Sequence, residues 1–169
     1  MIFLDESGAA TDLTRLRGRA PRGQRVLGHT PCGHWKTTTT IGSLRVEGPT
    51  ACVTLEGATD ADVFQAYVRE ALCPTLREGD RVILDNLSPH KTDQTLSLIR
   101  QAGAEVLFLP AYSPDLNPIE KMWSKVKACL RSAEARTPAA LGQAVSAALA
   151  TVTRRDAMNW FASCGYSFI

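Results

Sequence analysis

The sequence predicts an α/β domain built on a five-stranded mixed sheet flanked by helices, and three observations carry that prediction. Three short apolar runs stop abruptly: Ile2 to Leu4 before Asp5, Val82 to Leu84 before Asp85, and Val106 to Leu109 before Pro110. Runs of this kind suit strands covered on both faces. Between the first two, the β-branched stretch Thr37 to Val46, the turn Glu47-Gly48-Pro49 and the run Ala51 to Leu55 read as a hairpin. Segments with apolar residues three and four apart then separate the later strands, and helical crossovers between strands place helices on the faces of a sheet.

The helical segments follow in order. Thr59 with Asp62 resembles a capping box, and Val63, Phe64, Tyr67, Val68, Ala71 and Leu72 form an apolar stripe that stops at Pro74, which predicts a helix over 60–73. Ser88 and Pro89 suit the start of a second helix, with Thr92, Leu96 and Ile99 facing inward and an end near Gly103. Asn117 and Pro118 start a third, striped by Ile119, Met122, Trp123, Val126 and Leu130. Thr137 and Pro138 start a fourth, striped by Leu141, Val145, Leu149 and Val152, and a short fifth spans Arg155 to Ser163. The segment Ala9 to Trp35 has no such pattern. It carries Arg15, Arg17, Arg19, Arg22 and Arg25, with Lys36 just beyond, and Asp12 is its only acid. Loops this long in compact domains tend to be functional or disordered.

Size and composition narrow the function classes. At 169 residues and 44% hydrophobic content the chain fits a single domain over 1–169. Its net charge of +2 identifies no acidic partner, so local charge must. No apolar run approaches the ~18 residues that cross a bilayer, and Met1 leads straight into Ile-Phe-Leu-Asp without a signal peptide, so a cytoplasmic protein with no membrane partner is expected. Five scattered cysteines without a CxxC pair argue for free, mostly buried thiols. His29, Cys32 and His34 crowd into six residues without a fourth ligand, a poor match to structural zinc.

Chemistry concentrates on three acids. Asp5 and Asp85 stand where apolar runs stop, which is where α/β sheets gather ligand-binding groups. In LPAYSPDLNPIEKMWSKVK, prolines at 110, 114 and 118 stiffen the loop leaving the last strand, and Glu120 falls in the first turn of the next helix. With the last strand beside the one ending in Asp85, Glu120 points back over the same sheet edge. Three converging carboxylates repel one another unless a cation intervenes. Hard oxygen ligands suit Mg²⁺ or Mn²⁺, and two such ions can clamp the attacking and leaving oxygens of a phosphodiester.

Leu4-Asp5-Glu6-Ser7, Leu84-Asp85-Asn86 with His90, and SPDLNPIEKMWSKVK together resemble the catalytic signatures of DDE transposases, specifically the bacterial insertion-sequence transposases related to mariner elements. The 34 residues between Asp85 and Glu120 equal the separation this branch keeps between its second and third acids. The resemblance runs from Leu4 to about Arg131 and implies a fold similar to ribonuclease H and retroviral integrase. It implies that Asp5, Asp85 and Glu120 are the catalytic, metal-binding triad, and that Asn86, His90, Asp115 and Asn117 line the site, with His90 one turn beyond Asp85 and in reach of a phosphate or a water. It also implies metal-dependent cleavage at the ends of a mobile element and attack of the freed 3′-hydroxyl on target DNA, commonly at TA. The implied setting is a nucleoid-associated homodimer on DNA.

Family members usually carry a helix-turn-helix region ahead of the catalytic strand. Here that strand begins at Ile2, so the expectation is a catalytic half whose partner is an upstream DNA-binding half. Several residues admit plainer readings. Glu120, three residues after Asn117, also fits a helix cap. Glu6 faces the opposite side of the strand from Asp5, so one of the two is a bystander, and the resemblance selects Asp5 for the site. Trp123 lies on an apolar stripe and reads as core, and burial is also expected of Trp35 and Trp160. The arginine-rich loop, with Lys36, is assigned to DNA phosphates. Two other functions stay open: a ribonuclease H-like or junction-type nuclease without strand transfer, and an inactive DNA-binding remnant.

Overall fold

The computed structural model describes residues 1–86 and 88–167. Five strands, β1 (Ile2–Ala10), β2 (Thr37–Arg45), β3 (Gly48–Glu56), β4 (Arg81–Leu84) and β5 (Glu105–Phe108), form one sheet in the order β3-β2-β1-β4-β5. The first three pair antiparallel, whereas β4 runs parallel to both β1 and β5. Among the described residues five α-helices accompany them: α1 (Ala61–Tyr67), α2 (Asp93–Gln101), α3 (Pro118–Ala133), α4 (Pro138–Ala150) and α5 (Arg154–Ser163). This is the mixed, helix-flanked sheet that the sequence predicts.

Strand alternation divides the core into two layers, because successive side chains leave a strand on opposite faces. Ile2 and Leu4 of β1 and Val82 and Leu84 of β4 pack with Phe64, Tyr67, Leu72 and Ile99. Phe3 and Ile83 pack on the other face against Met122, Trp123, Val126, Leu141, Val145 and Phe161. Continuing that alternation by one residue sends Asp5 toward the α3 face and Glu6 toward the α1 face.

Several boundaries differ from expectation. β1 does not stop at Asp5 but continues to Ala10, paired with β2 along its length, with Asp5 opposite Gly42. β5 is not buried on both faces: it is an edge strand, and Leu107 and Phe108 are exposed. The predicted 60–73 helix is α only as far as Tyr67, continues as a π-helical turn over Val68–Leu72, and is capped by Asp60, whose side chain accepts from the Val63 amide at 2.9 Å. Thr59, the expected cap, keeps a buried hydroxyl without a partner among the described residues. Ser88–Lys91 is a separate 3-10 turn, and Thr92 is the N-cap of α2 rather than an inward-facing residue. The third and fourth helices begin at Pro118 and Pro138 as expected, although α4 ends at Ala150, short of the predicted stripe residue Val152, and the fifth agrees to within a residue.

The five cysteines are free; Cys32 is exposed, Cys164 is buried, and the other three are half-buried, so the thiols are less buried than expected. Among the described residues no helix is long and apolar enough to cross a membrane.

Candidate active site

The short strand β4 and the continuing strand β1 create the site. Backbone pairing carries Ile2 and Phe3 alongside Val82 and Ile83, so Asp5 and Asp85 emerge as near neighbours where β4 stops. The chain then leaves β5 through Pro110 and a 3-10 turn at Pro114–Leu116 and enters α3, whose first turn holds Glu120. Asp5, Asp85, Asn86, Asn117 and Glu120 line one cleft of about 380 Å³, with Tyr112 at its rim.

Burial sets the electrostatics. Desolvation raises the Asp5 pKa to about 7, an amide hydrogen bond from Glu6 works against it, and the charges of Glu120 and Asp85 push it further up. Asp5 Oδ2 accepts from Trp123 Nε1 at 3.2 Å. Trp123 is therefore buried, as expected, but is not core alone. It stands three residues after Glu120, on the same helical face, which is the sequence signal that ties it to the acids. Gly42, opposite Asp5, makes room for it: a Cβ there would stand 2.9 Å from the indole Cη2 and 3.0 Å from Cys52 Sγ.

His90 is buried, and its Nδ1 lies 2.6 Å from Asp85 Oδ1. Burial pulls its pKa down, yet the hydrogen bonds and charges of Asp85 and Glu6 outweigh that and hold it at about 9. The imidazole is not among the residues that line the cleft, and its Nδ1 meets the Asp85 carboxylate. Asp115 is exposed on the 3-10 turn and does not line the cleft. Asn86 and Asn117 do.

The capping reading of Glu120 does not hold. Asn117 precedes α3 but makes no side-chain cap bond, and its buried Oδ1 lacks a partner among the described residues. A capping box exists elsewhere, at Thr153 and Asp156 of α5.

The donor chemistry of the cleft fits a hard divalent cation. Three carboxylates and the amide residues Asn86 and Asn117 line a common space, and repulsion among the acids is what such a cation relieves. Among the described residues, no three His, Cys, Asp or Glu side chains are gathered closely enough to hold an ion as they lie.

The segment 11–36 between β1 and β2 is irregular, and Arg15, Arg17, Arg19, Arg22, Arg25 and Lys36 are all exposed along it. Trp35 is exposed too, against expectation, and Trp160 is half-buried. Arg136 ties the start of the segment to the fold, donating from Nη1 to the carbonyls of Thr11 and Leu13 at 3.0 and 2.7 Å.

Sheet order, crossover pattern and an acidic cleft where β4 ends define a ribonuclease H-like domain, and solved structures agree. The chain is similar to a "Mos1 transposase paired-end complex with left transposon end", at 20% identity and a TM-score of 0.73 over 99% of this chain and 56% of that one. It is similar to the "catalytic domain of Mos1 mariner transposase", at 17% identity and a TM-score of 0.63 over 99% of this chain and 83% of that one. It spans 55% of the protein chain in the "Mos1 Strand Transfer Complex", about half that length. Comparison with curated proteins gave no match. The family model described as DDE superfamily endonuclease matches residues 1–141, and the chain belongs to that family.

Proposed function

We propose that this chain is the catalytic domain of a DNA transposase, cutting the ends of a mobile element and joining the freed 3′-hydroxyl to target DNA, with TA the expected target. The observation that carries this reading is the convergence of Asp5, Asp85 and Glu120 on one cleft in a chain of the DDE superfamily endonuclease family. Asp5 comes from the middle of a paired strand, Asp85 from the end of its parallel neighbour, and Glu120 from the first turn of a helix packed over β1.

Mg²⁺ or Mn²⁺, as two ions, is the cofactor we assign, held by Asp5, Asp85 and Glu120. Bound there, it would polarise the scissile phosphate and activate a water or hydroxyl for in-line attack. Two similar structures are Mos1 paired-end complexes "with Mg" and "with Mn". The protein's own contribution is to orient the ligands: Trp123 steadies Asp5, and Asn86 and Asn117 offer amides to the phosphate or its waters. Arg15, Arg17, Arg19, Arg22, Arg25 and Lys36 supply phosphate contacts beside the site, and the partners we assign are element-end and target DNA, an upstream helix-turn-helix half and a second copy on DNA.

Purified protein with supercoiled plasmid and Mn²⁺ tests the reading. Metal-dependent nicking that disappears in Asp85→Asn supports it, and full cleavage without that carboxylate overturns it. Joined products distinguish a transposase from a nuclease that only hydrolyses. Reversing two or three of the loop arginines should weaken binding to all duplexes alike and flatten the salt dependence, by about 0.9 in slope for each phosphate that is no longer neutralised. Binding unaltered by reversal would remove the loop from the interface.

A further inference from the structure

Asp85 follows a strand of only four residues, so backbone pairing imposes little on its side chain. A partner that orients it is His90, whose Nδ1 is 2.6 Å from Asp85 Oδ1. The ring is fixed in turn. It is 2% exposed, stacked on Phe64 with ring centroids 4.2 Å apart, and its Nε2 stands 3.5 Å from Glu6 Oε1. Glu6 belongs to β1 and is paired with Ile41, so the far end of this bridge is anchored in the centre of the sheet.

Resting on the active-site reading above, we propose that Glu6 and His90 are positioning residues for Asp85: Glu6, through the imidazole, holds Asp85 Oδ1 in the orientation that the metal site requires. Consecutive residues of β1 then serve one site from opposite faces of the sheet. Asp5 enters the cleft directly, and Glu6 reaches it through His90. Carboxylates only accept, so a ring held between two of them donates from both nitrogens, and Glu6 at Nε2 fixes the ring plane and with it the direction in which Nδ1–H meets Asp85. Partners one step behind a metal ligand typically govern affinity by 10- to 100-fold, roughly the range expected here.

The test separates this role from a bystander and from a direct ligand. Mn²⁺ binding to DNA-free protein is measured by electron paramagnetic resonance, alongside cleavage and melting temperature. Glu6→Ala should weaken Mn²⁺ binding about 10-fold with melting temperature and DNA affinity unchanged. Glu6→Gln, which keeps an oxygen acceptor for Nε2–H, should recover most of the loss. Glu6→Thr, β-branched to suit a strand but too short to reach His90, should behave as Glu6→Ala and serves if alanine does not fold. The far-downfield proton of His90 Nδ1 should move in Glu6→Ala and Glu6→Thr but scarcely in Glu6→Gln. Wild-type Mn²⁺ affinity and an unmoved proton in both short variants overturn the proposal, and so does a Glu6→Gln as damaged as Asp85→Asn, which would make Glu6 a ligand. Wild-type protein that neither binds Mn²⁺ nor cleaves DNA overturns the active-site reading as well, whereas one that does both with Glu6 dispensable overturns the bridge alone.

Discussion

The parallel pair β1 and β4 has acids at both ends, and the two ends are built on opposite terms. Where β4 begins, the Arg45 guanidinium grips Asp80 with both of its terminal nitrogens, at 2.8 and 2.6 Å, and also donates to the Thr75 carbonyl at 2.8 Å. The Arg77 amide adds a further bond to Asp80 at 2.7 Å, and this arrangement holds the carboxyl below its ordinary range. Where β4 ends, Asp5 is desolvated beside two more acids, and its pKa rises to about 7. Fully partnered charge fixes a fold, whereas charge left short of partners at the end of a rigid strand is ready to receive a cationic ligand.

Removing an acid at the β4 exit gives the largest expected effect, and chiefly on activity. Asp85→Asn, Asp5→Asn and Glu120→Gln should each abolish Mn²⁺-dependent cleavage. Thermal melting should stay level or rise in Asp5→Asn and Glu120→Gln, which relieve repulsion among the carboxylates, whereas Asp85→Asn also weakens the bond to buried His90 and should melt somewhat lower. Paired cleavage assays and melting curves check this, and an Asp5 or Glu120 variant that loses stability with its activity would break the contrast.

The β4 entry should respond in the reverse way. Arg45→Met strands Asp80 without its cation, and breaking a buried pair on one side costs about 3–5 kcal/mol. Urea titration measures it, while the metal requirement of the surviving folded fraction should stay as in wild type.

The site's acids were legible because their positions depend on local pattern: apolar runs that stop, and a proline-stiffened loop leading into a helix. What stayed hidden depends on pairing between distant segments. The residues Glu6 to Ala10 carry no strand signal of their own and are strand because Thr37 to Ile41 lie beside them. Val106 to Leu109 is as apolar as a central strand, yet nothing in that run reveals that the sheet ends there, leaving Leu107 and Phe108 exposed. Glu6 reads as a bystander because alternation turns it from Asp5, and only the packing of His90 against Phe64 brings it back to the site. Trp123 scores as core on any helical wheel, and the bond to Asp5 appears only once α3 lies over β1.

Gly42 allows a finer probe of the exit end. Gly42→Ala places a methyl against the Trp123 indole and the Cys52 sulfur, and overpacking of this kind costs about 1–3 kcal/mol. With the indole displaced from Asp5, cleavage should also need more Mn²⁺. Stability lost with metal requirement unchanged would show that Trp123 is core and nothing more.

The smallest effect, and the sharpest comparison, is in pH. Asp5 is an acid whose folded pKa, about 7, lies above its ordinary 3.8, so the fold prefers the protonated form. Its contribution to stability is complete below about pH 4 and is lost as pH rises through about 7. Asp80 is lowered, mainly by its hydrogen bond from Arg45, so its contribution is present above about pH 4 and is lost as pH falls through the depressed value. The two ends of one strand pair therefore oppose each other. In metal-free buffer, melting temperature is followed from about pH 3 to about pH 8 for wild type, Asp5→Asn and Asp80→Asn, and each variant curve is subtracted from wild type so that other titrating groups cancel. The Asp5 difference should fall between about pH 4 and 7, and the Asp80 difference should rise from acid toward about pH 4 and then level. A flat Asp5 difference would mean that the carboxyl ionises at its ordinary value, and the exit end of β4 would then be no more strained in charge than the entry.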